Sequence, residues 1–227
     1  MKNRKKMNYK IVYDEIKLKQ FIDWLPDLEV NEKYFVALFA RKKYCKNLIK
    51  SNDKTQLKRF VSTKEKLIEK ITQLEVAYGS YSLRNIPAPQ ESLVLYINPN
   101  PRCMKKATFS LAKECLNLIQ INSIGFNIHA EALSCIQRSK SKGYFCDFDI
   151  DTKDVDLSKL NDILPREAYE ILETRGGYHI LVKSRIAPKT KWHLAIRNIF
   201  DVDQIGDNLI PVPGCCQGGY VPNFVLI

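Results

Sequence analysis

Three aspartates, Asp147, Asp149 and Asp151, alternate with apolar residues and could together bind a cation. Successive side chains of a β-strand point to opposite faces, so these carboxylates share one face while Phe148 and Ile150 pack on the other. Neighbouring carboxylates repel each other, and a divalent cation relieves the repulsion. Mg²⁺ prefers such oxygen ligands and keeps positions for water and phosphate oxygens. The pattern indicates either a metal site or a solvated polar face that ends in an Asp-rich turn.

A glycine pair followed by a histidine forms the second candidate segment, with Arg175, Gly176, Gly177 and His179. Glycines permit positive φ and allow a phosphate to approach the backbone closely. The guanidinium of Arg175 can bind phosphate in a bidentate manner, and His179 can donate to a triphosphate oxygen. The plainer interpretation is a Gly-Gly hairpin with a histidine packed on the sheet.

A third acidic segment contains Asp201, Asp203 and Asp207 and precedes a Gly-rich stretch that includes Pro213 and Gly214. One of these carboxylates could complete a metal site of three aspartates, and the Gly-rich stretch could line a nucleotide pocket. The alternative is an acidic loop followed by a tight turn.

The order of these segments (D-x-D, then G-G-x-H, then an acidic residue shortly before Pro-Gly) resembles the three motifs of the archaeo-eukaryotic primase superfamily. The sequence Leu-Tyr-Ile-Asn-Pro-Asn-Pro-Arg at residues 95–102 is similar to the N-P-R segment that often precedes D-x-D in that family. The resemblance covers about residues 92–220 and is to the primase–polymerase core of phages and plasmids. It implies an RRM-like, mostly antiparallel catalytic sheet with a separate N-terminal α/β unit packed on it.

The resemblance also implies the ligands of a two-metal site that holds Mg²⁺ or Mn²⁺. Asp147 and Asp149 match the metal-binding D-x-D motif, which makes them catalytic residues. The third ligand lies in the third acidic segment, where Asp203 is the first choice and Asp201 and Asp207 are the alternatives.

The contacts to the incoming nucleotide are implied in the same way. His179 matches the histidine of the second motif, which makes it the nucleotide contact of the catalytic set. The further nucleotide-binding residues are expected to be Arg102, Arg175, Gly176 and Gly177.

The basic residues are concentrated in the first third of the chain. The 227 residues include 36 Lys+Arg and 25 Asp+Glu, which gives a formal net charge of +11. Residues 1–70 hold 19 of the basic and nine of the acidic side chains. A basic end joined to a locally acidic centre indicates a polyanion held near a cation site. The candidates for nucleic-acid contacts are Arg41, Lys42, Lys43, Lys58 and Arg59.

The composition argues against several other classes of protein. A hydrophobic content of 45% and a charged content of 27% are typical of a folded globular chain. No apolar run approaches the roughly 18–20 residues that span a bilayer, and no secretory signal is evident, so we expect a cytoplasmic protein without membrane contact. If a phage or plasmid encodes the chain, that cytoplasm is the host's. Seven cysteines without a C-x-x-C pair, and only three histidines, predict no zinc site.

Hydrophobic periodicity predicts helices mostly before a strand-rich half, which is typical of an α+β fold with a mostly antiparallel sheet. The predicted helices are 62–77, 105–121, 129–138, 157–164 and 192–199. The predicted strands are 33–40, 92–97, 143–150, 169–173, 178–182 and 209–212. We divide the chain into a basic N-terminal α/β part, 1–90, and a catalytic core, 91–227; one continuous domain is the alternative.

Three functions are compatible with these patterns. The first is a DNA primase or primase–polymerase that makes primers on a single-stranded DNA template from NTP or dNTP. The second is a non-catalytic, RRM-like module that binds single-stranded nucleic acid, with Tyr144, Phe145 and Phe148 as stacking or core residues. The third is a metal-dependent nuclease, for which no general base is evident. The sequence contains no Walker A motif, so a replicative helicase would act in trans or lie outside these residues.

Overall fold

The computed structural model describes residues 7–45, 54–83, 85–121 and 125–226. In these ranges the helices, named α1 to α5 in chain order, are Glu15–Trp24, Leu67–Thr72, Met104–Gln120, Ile128–Arg138 and Trp192–Ile199. The strands, named β1 to β12, are Glu32–Arg41, Lys54–Ser62, Ser82–Leu83, Ile86–Pro87, Leu93–Ile97, Arg102–Cys103, Phe145–Ile150, Tyr169–Glu173, Tyr178–Lys183, Gln204–Gly206, Ile210–Pro211 and Asn223–Val225.

Two larger antiparallel sheets organise the molecule. The first sheet has the order β11-β5-β1-β2, with β6 also paired to β1, and the second has the order β10-β7-β9-β8-β12. Strands β3 and β4 form a separate small ribbon. The fold is therefore α+β with mostly antiparallel sheets, as the sequence predicts. In the described ranges, no helix is long and apolar enough to cross a membrane.

The first sheet is covered on both faces because β1 is apolar along nearly its whole length. Its side chains alternate between two cores: Tyr34, Val36 and Leu38 belong to the core that includes α1 and α2, and Phe35 and Phe39 belong to the core under α3 and α4. A strand buried on both faces reads as a continuous apolar run, which explains why residues 33–40 are recognisable as a strand.

The second sheet shares one of these cores at one end of its inner face. Phe145, Leu172 and Leu181 pack into the core of the first sheet. Trp24 of α1 stacks on Phe145, with ring centroids 4.6 Å apart, and also contacts Phe224 at 4.9 Å. The apolar packing joins the two sheets on this side, and the inner face becomes polar farther along the strands.

The outer face of the second sheet has its own core. Phe148, Ile150 and Ile180 are completely buried there, under α5 and a 3₁₀ helix at Leu157–Asp162. The alternation predicted for β7 is thus confirmed, since the residues between the aspartates are core residues. The predicted helix at 157–164 is wrong in type, because Asp156 caps a 3₁₀ helix that ends before Pro165.

The predicted helix at 62–77 is also wrong at both ends, because α2 spans only Leu67–Thr72. Ser62 ends strand β2, opposite Tyr34 of β1, and α2 begins only at residue 67. Pairing with β1 overrides the local helical pattern at this position. The proposed boundary at residue 90 falls within the first sheet, because β5, β6 and β11 pair in the same sheet as β1 and β2.

Candidate functional site

A cavity of about 590 Å³ is lined by residues of both sheets and carries charges of both signs. We call its acidic side chains the acidic wall: Asp149, Asp151, Asp203 and Asp207. We call its basic side chains the basic wall: Arg41, Lys43, Lys54, Arg102 and Arg138. His179, Gly176 and Tyr96 line the same space. Segments that are distant in sequence therefore meet in one concave site.

The acidic wall is positioned by three neighbouring strands of the second sheet. Asp149 of β7 lies opposite His179 of β9, and Gln204 of β10 lies opposite Asp149 on the other side. The backbone N–H of Asp203 donates to the carbonyl oxygen of Asp149 at 2.9 Å. This register brings parts of all three sequence motifs to the same place.

Asp147 is buried behind the cavity wall and holds the histidine. Its side chain is only 1% exposed, and its two carboxylate oxygens lie 3.1 and 3.0 Å from Nδ1 of His179. The amide of Asn208 donates to the same carboxylate at 3.0 Å. Asp147 is not among the side chains that line the cavity. The expected metal ligand thus contacts His179 and Asn208 directly, whereas Asp149 faces the cavity.

The surroundings of Asp149 and His179 shift the pKa values of both side chains. Burial raises the pKa of Asp149, and the charges of Asp147, Asp151 and Asp203 raise it further, although His179 opposes them. Burial lowers the pKa of His179, but the charge and hydrogen bond of Asp147 outweigh that effect, so the pKa lies above its ordinary value. Burial and the neighbouring carboxylates disfavour the ionised form of Asp149, and a bound cation would stabilise that form.

The donor set can be tested directly for its fit to Mg²⁺ or Mn²⁺. In the described ranges, no group of three or more His, Cys, Asp or Glu side chains is arranged to hold a metal ion. Mg²⁺, however, is usually bound by one or two carboxylates together with water and substrate phosphates. Asp149 and Asp203 supply two such carboxylates on the wall of one cavity, so their chemistry fits a divalent cation that a bound triphosphate helps to ligate.

The three candidates for the third acidic position have different surroundings. Asp203 lines the cavity beside Asp149, whereas Asp201 does not line it. Asp207 lines the cavity but is already bound, by Nη1 of Arg102 at 2.6 Å and by the amide of Asn100 at 2.8 Å. The geometry thus favours Asp203 as the partner of Asp149.

Arg102 has an unusual environment for an arginine. Its side chain is only 1% exposed, yet it lines the cavity. Nη1 pairs with Asp207, but Nε and Nη2 are buried without a hydrogen-bond partner in the described structure. Buried donors without acceptors are energetically unfavourable, so these two nitrogens carry a cost in the folded chain. The nucleotide contact expected for Arg102 stays a prediction.

Arg175, Gly176 and Gly177 have different contacts in the structure. The guanidinium of Arg175 donates to the carbonyl oxygen of Gly218 and stacks on Tyr44 at 4.6 Å. Tyr44 lines the cavity, whereas Arg175 is not among the lining residues. Gly176 lines the cavity. Neither Gly176 nor Gly177 has positive φ, so the turn does not use the conformational freedom that glycine permits. Gly177 is required instead because its backbone approaches β7 closely.

Alanine at Gly177 is expected to destabilise the fold strongly, whereas alanine at Gly176 is not. A Cβ at Gly177 would lie 1.8 Å from the carbonyl oxygen of Ile150, and a Cβ at Gly176 would make only ordinary contact, 3.8 Å from Asp151. We expect Gly177→Ala to lower the free energy of unfolding by about 3 kcal/mol, and Gly176→Ala to change it by less than about 1 kcal/mol. Urea denaturation measures both, and equal effects would contradict the close packing at Gly177.

The residues predicted to bind nucleic acid have different surroundings. Arg41 donates to the Tyr96 hydroxyl at 2.8 Å. Both Arg41 and Lys43 line the cavity. Lys42 and Lys58 are exposed outside it. The guanidinium of Arg59 donates to residues of α4, to the carbonyl oxygen of Ala130 at 2.7 Å and to the hydroxyl of Ser134 at 3.3 Å.

Several residues of the site were not recognised from sequence. Asn208 had a local signal, because it follows Asp207 in the third acidic segment. Lys54 begins β2 and Arg138 ends α4, and both reach the cavity only through the packing of distant segments.

Comparisons with protein-family models, with curated proteins and with solved structures found no match.

Proposed function

We propose that the chain is a DNA primase or primase–polymerase of the archaeo-eukaryotic type, which makes primers on single-stranded DNA by metal-dependent nucleotidyl transfer. The observation that carries the proposal is the single cavity in which Asp149 and Asp203 face the buried Arg102 and the rest of the basic wall. A nucleoside triphosphate needs both halves of such a site, with cationic side chains for its phosphates and carboxylates for the cations near the reacting phosphorus.

Asp149 and Asp203 would hold Mg²⁺ or Mn²⁺, with Asp151 on the same wall and Asp147 behind it. The chemistry that two such ions supply when bound is activation of the primer 3′-hydroxyl and neutralisation of charge on the departing pyrophosphate. In the reaction, the 3′-oxygen bonds to the α-phosphorus, the bond from that phosphorus to the pyrophosphate oxygen breaks, and the 3′-hydroxyl releases its proton to water.

The chain's own residues bind and orient the nucleotide. Asp147 accepts from Nδ1 of His179 and favours the protonated ring, which leaves Nε2–H, 3.6 Å from Asp149, on the cavity side. Arg102 lines the cavity, and its positive charge would attract the phosphates. The other cations of the basic wall surround the same space and add to its attraction for a polyanion.

The biological setting follows from the resemblance alone. A primase–polymerase of this type would serve DNA replication of a phage or plasmid in the cytoplasm of the host, with a replicative helicase acting in trans. Of the alternatives, a binding module that stacks bases on Phe145 and Phe148 has little support, because both rings are buried in cores.

Primer synthesis on single-stranded DNA, with NTP and dNTP in separate reactions and with Mn²⁺ added, tests the proposal. We expect labelled primers from the wild-type chain. We also expect Mn²⁺ to raise its melting temperature, because a ligand that binds only the folded state stabilises it. The double variant Asp149→Asn/Asp203→Asn should lose both responses.

The same reactions distinguish the remaining possibilities. Absence of primers with both nucleotide pools, together with no effect of Mn²⁺ on melting, would contradict the proposal. Degradation of end-labelled DNA without extension would indicate a nuclease that uses the same carboxylates.

A further inference from the structure

A second concave surface lies at the start of α3, outside the cavity between the sheets. We call it the α3 groove; it has a volume of about 1050 Å³ and is lined by Lys105, Lys106, Arg138, Lys140 and Phe109, among others. No carboxylate is among the side chains that line it in the described structure. A concave surface with four cations and no lining acid attracts an extended polyanion.

The placement of two of these lysines is unfavourable for the helix itself. Lys105 and Lys106 lie in the first turn of α3, where the helix dipole already contributes positive charge. The first turn contains no acidic residue, and Cys103 at the N-cap makes no side-chain hydrogen bond. The positive potential of the helix end and of the lysines therefore adds up in the groove, and a phosphate would relieve it.

The floor of the groove is held by backbone hydrogen bonds. The N–H of Met104 donates to the carbonyl oxygen of Asn31 at 2.7 Å, and the N–H of Cys103 donates to that of Ser139 at 2.8 Å. Nζ of Lys106 donates to the carbonyl oxygen of Lys140 at 3.2 Å. These bonds join α3, the turn before β1 and the end of α4, so the cationic side chains are arranged on a defined backbone.

Arg138 connects the groove to the cavity, because it lines both. Its side chain is 61% exposed, and one nitrogen pairs with Glu131 at 2.8 Å. A strand that lies in the groove would thus pass Arg138 and reach the basic wall opposite Asp149 and Asp203.

Phe109 provides a surface for a base next to these cations. Its side chain is 78% exposed, although it is apolar. It follows Lys105 by four positions and Lys106 by three, so all three lie on the same side of α3. Exposed aromatic rings beside phosphate-binding lysines are typical of sites for single-stranded nucleic acid, because every base can stack and no sequence is required.

We propose that the α3 groove binds the single-stranded nucleic acid and leads it to the cavity. The groove adds to the N-terminal candidates for nucleic-acid contacts, of which Arg59 also donates to α4. The inference deepens the proposed function and rests on it for the role of the strand as template.

Binding of a fluorescent oligothymidylate, measured by anisotropy in EDTA and without nucleotide, tests the groove separately from the chemistry. The test variant is Lys105→Ala/Lys106→Ala/Lys140→Ala. The matched control is Lys19→Ala/Lys159→Ala/Lys189→Ala, which removes the same charge from exposed positions outside the groove. We expect the test variant to bind at least about 10-fold more weakly, and its slope of log affinity against log salt to be less steep by about 2.

Phe109→Ala provides a second readout that does not change charge. Because the ring is exposed, this variant should fold normally and bind about 10-fold more weakly, with an unchanged salt slope.

Equal losses in the lysine test and control variants, or wild-type affinity in the test variant, would overturn the proposal. Binding to phosphatidylserine vesicles through the same lysines, without binding to the oligonucleotide, would also overturn it. Wild-type binding through the groove without primer synthesis would contradict the proposed function while leaving the strand-binding surface intact.

Discussion

Replacement of Asp203 by asparagine is expected to reduce primer synthesis by at least about 100-fold, whereas Asp201→Asn should leave it unchanged. Asp203 lines the cavity beside Asp149, and Asp201 lies outside it, two residues away on the same loop. Loss of a ligand for the catalytic cations removes several kcal/mol of transition-state stabilisation, which corresponds to a change of this size in rate. Single-turnover primer extension with Mn²⁺ measures both variants.

The fold should survive these substitutions, which separates a catalytic role from a structural one. The raised pKa of Asp149 shows that its ionised form is unfavourable in the folded chain, for reasons of burial first and of neighbouring carboxylates second. We therefore expect Asp149→Asn to lose activity like Asp203→Asn while its melting temperature without metal stays equal or rises. Full activity in Asp203→Asn, or equal losses in Asp201→Asn and Asp203→Asn, would exclude Asp203 as the acidic partner.

Arg102→Met is expected to lower the free energy of unfolding by about 3 kcal/mol. Its guanidinium is buried against Asp207, whose side chain is 21% exposed, and the substitution leaves that carboxylate without its cation. Asp207 also accepts from Asn100, which exchanges two hydrogen bonds of 2.9 Å with the backbone of Phe145. The ion pair thus belongs to a network that connects the loop after β5 to the start of β7.

A double-mutant cycle separates the ion pair from the loss of packing. Asp207→Asn alone should destabilise the chain by leaving Arg102 charged and unpaired, and Arg102→Met/Asp207→Asn should recover part of the loss. Urea denaturation is the appropriate measurement, since urea does not screen charges. A single Arg102→Met variant more stable than wild type would show that the unsatisfied Nε and Nη2 outweigh the pair with Asp207.

The elements that sequence predicted well are those whose patterns are local. Helices α3 and α4 were located to within one residue at each end, because their apolar residues recur at helical spacing and their ends are marked. Strand β7 was recognised because its period of two is unmistakable. The segment at 62–77 failed because Ser62 and its neighbours are held by β1, and no local pattern reports that pairing.

The residues of the site divide in the same way, into those with a local sequence pattern and those that depend on tertiary packing. Motif order was sufficient to select Asp149, His179 and the third acidic segment as a group. The sequence already puts Asp203 first among three candidates, and the pairing of β10 with β7 adds that its backbone lies beside Asp149. The contact of Asp147 with His179 depends on the pairing of β7 with β9. Lys54 and Arg138 carry no motif, so only tertiary packing reveals them.

The stack of Trp24 on Phe145 contributes to the apolar core that joins the two sheets. The two sheets meet through aromatic and aliphatic side chains on one side and carry their ionised groups on the other. Opposite charges nevertheless meet within the cavity, because Nη1 of Arg102 lies 2.6 Å from Asp207. If the cavity binds a triphosphate as proposed, the shared apolar core would limit how far the two sheets must reorganise, and little binding energy would be spent on that change.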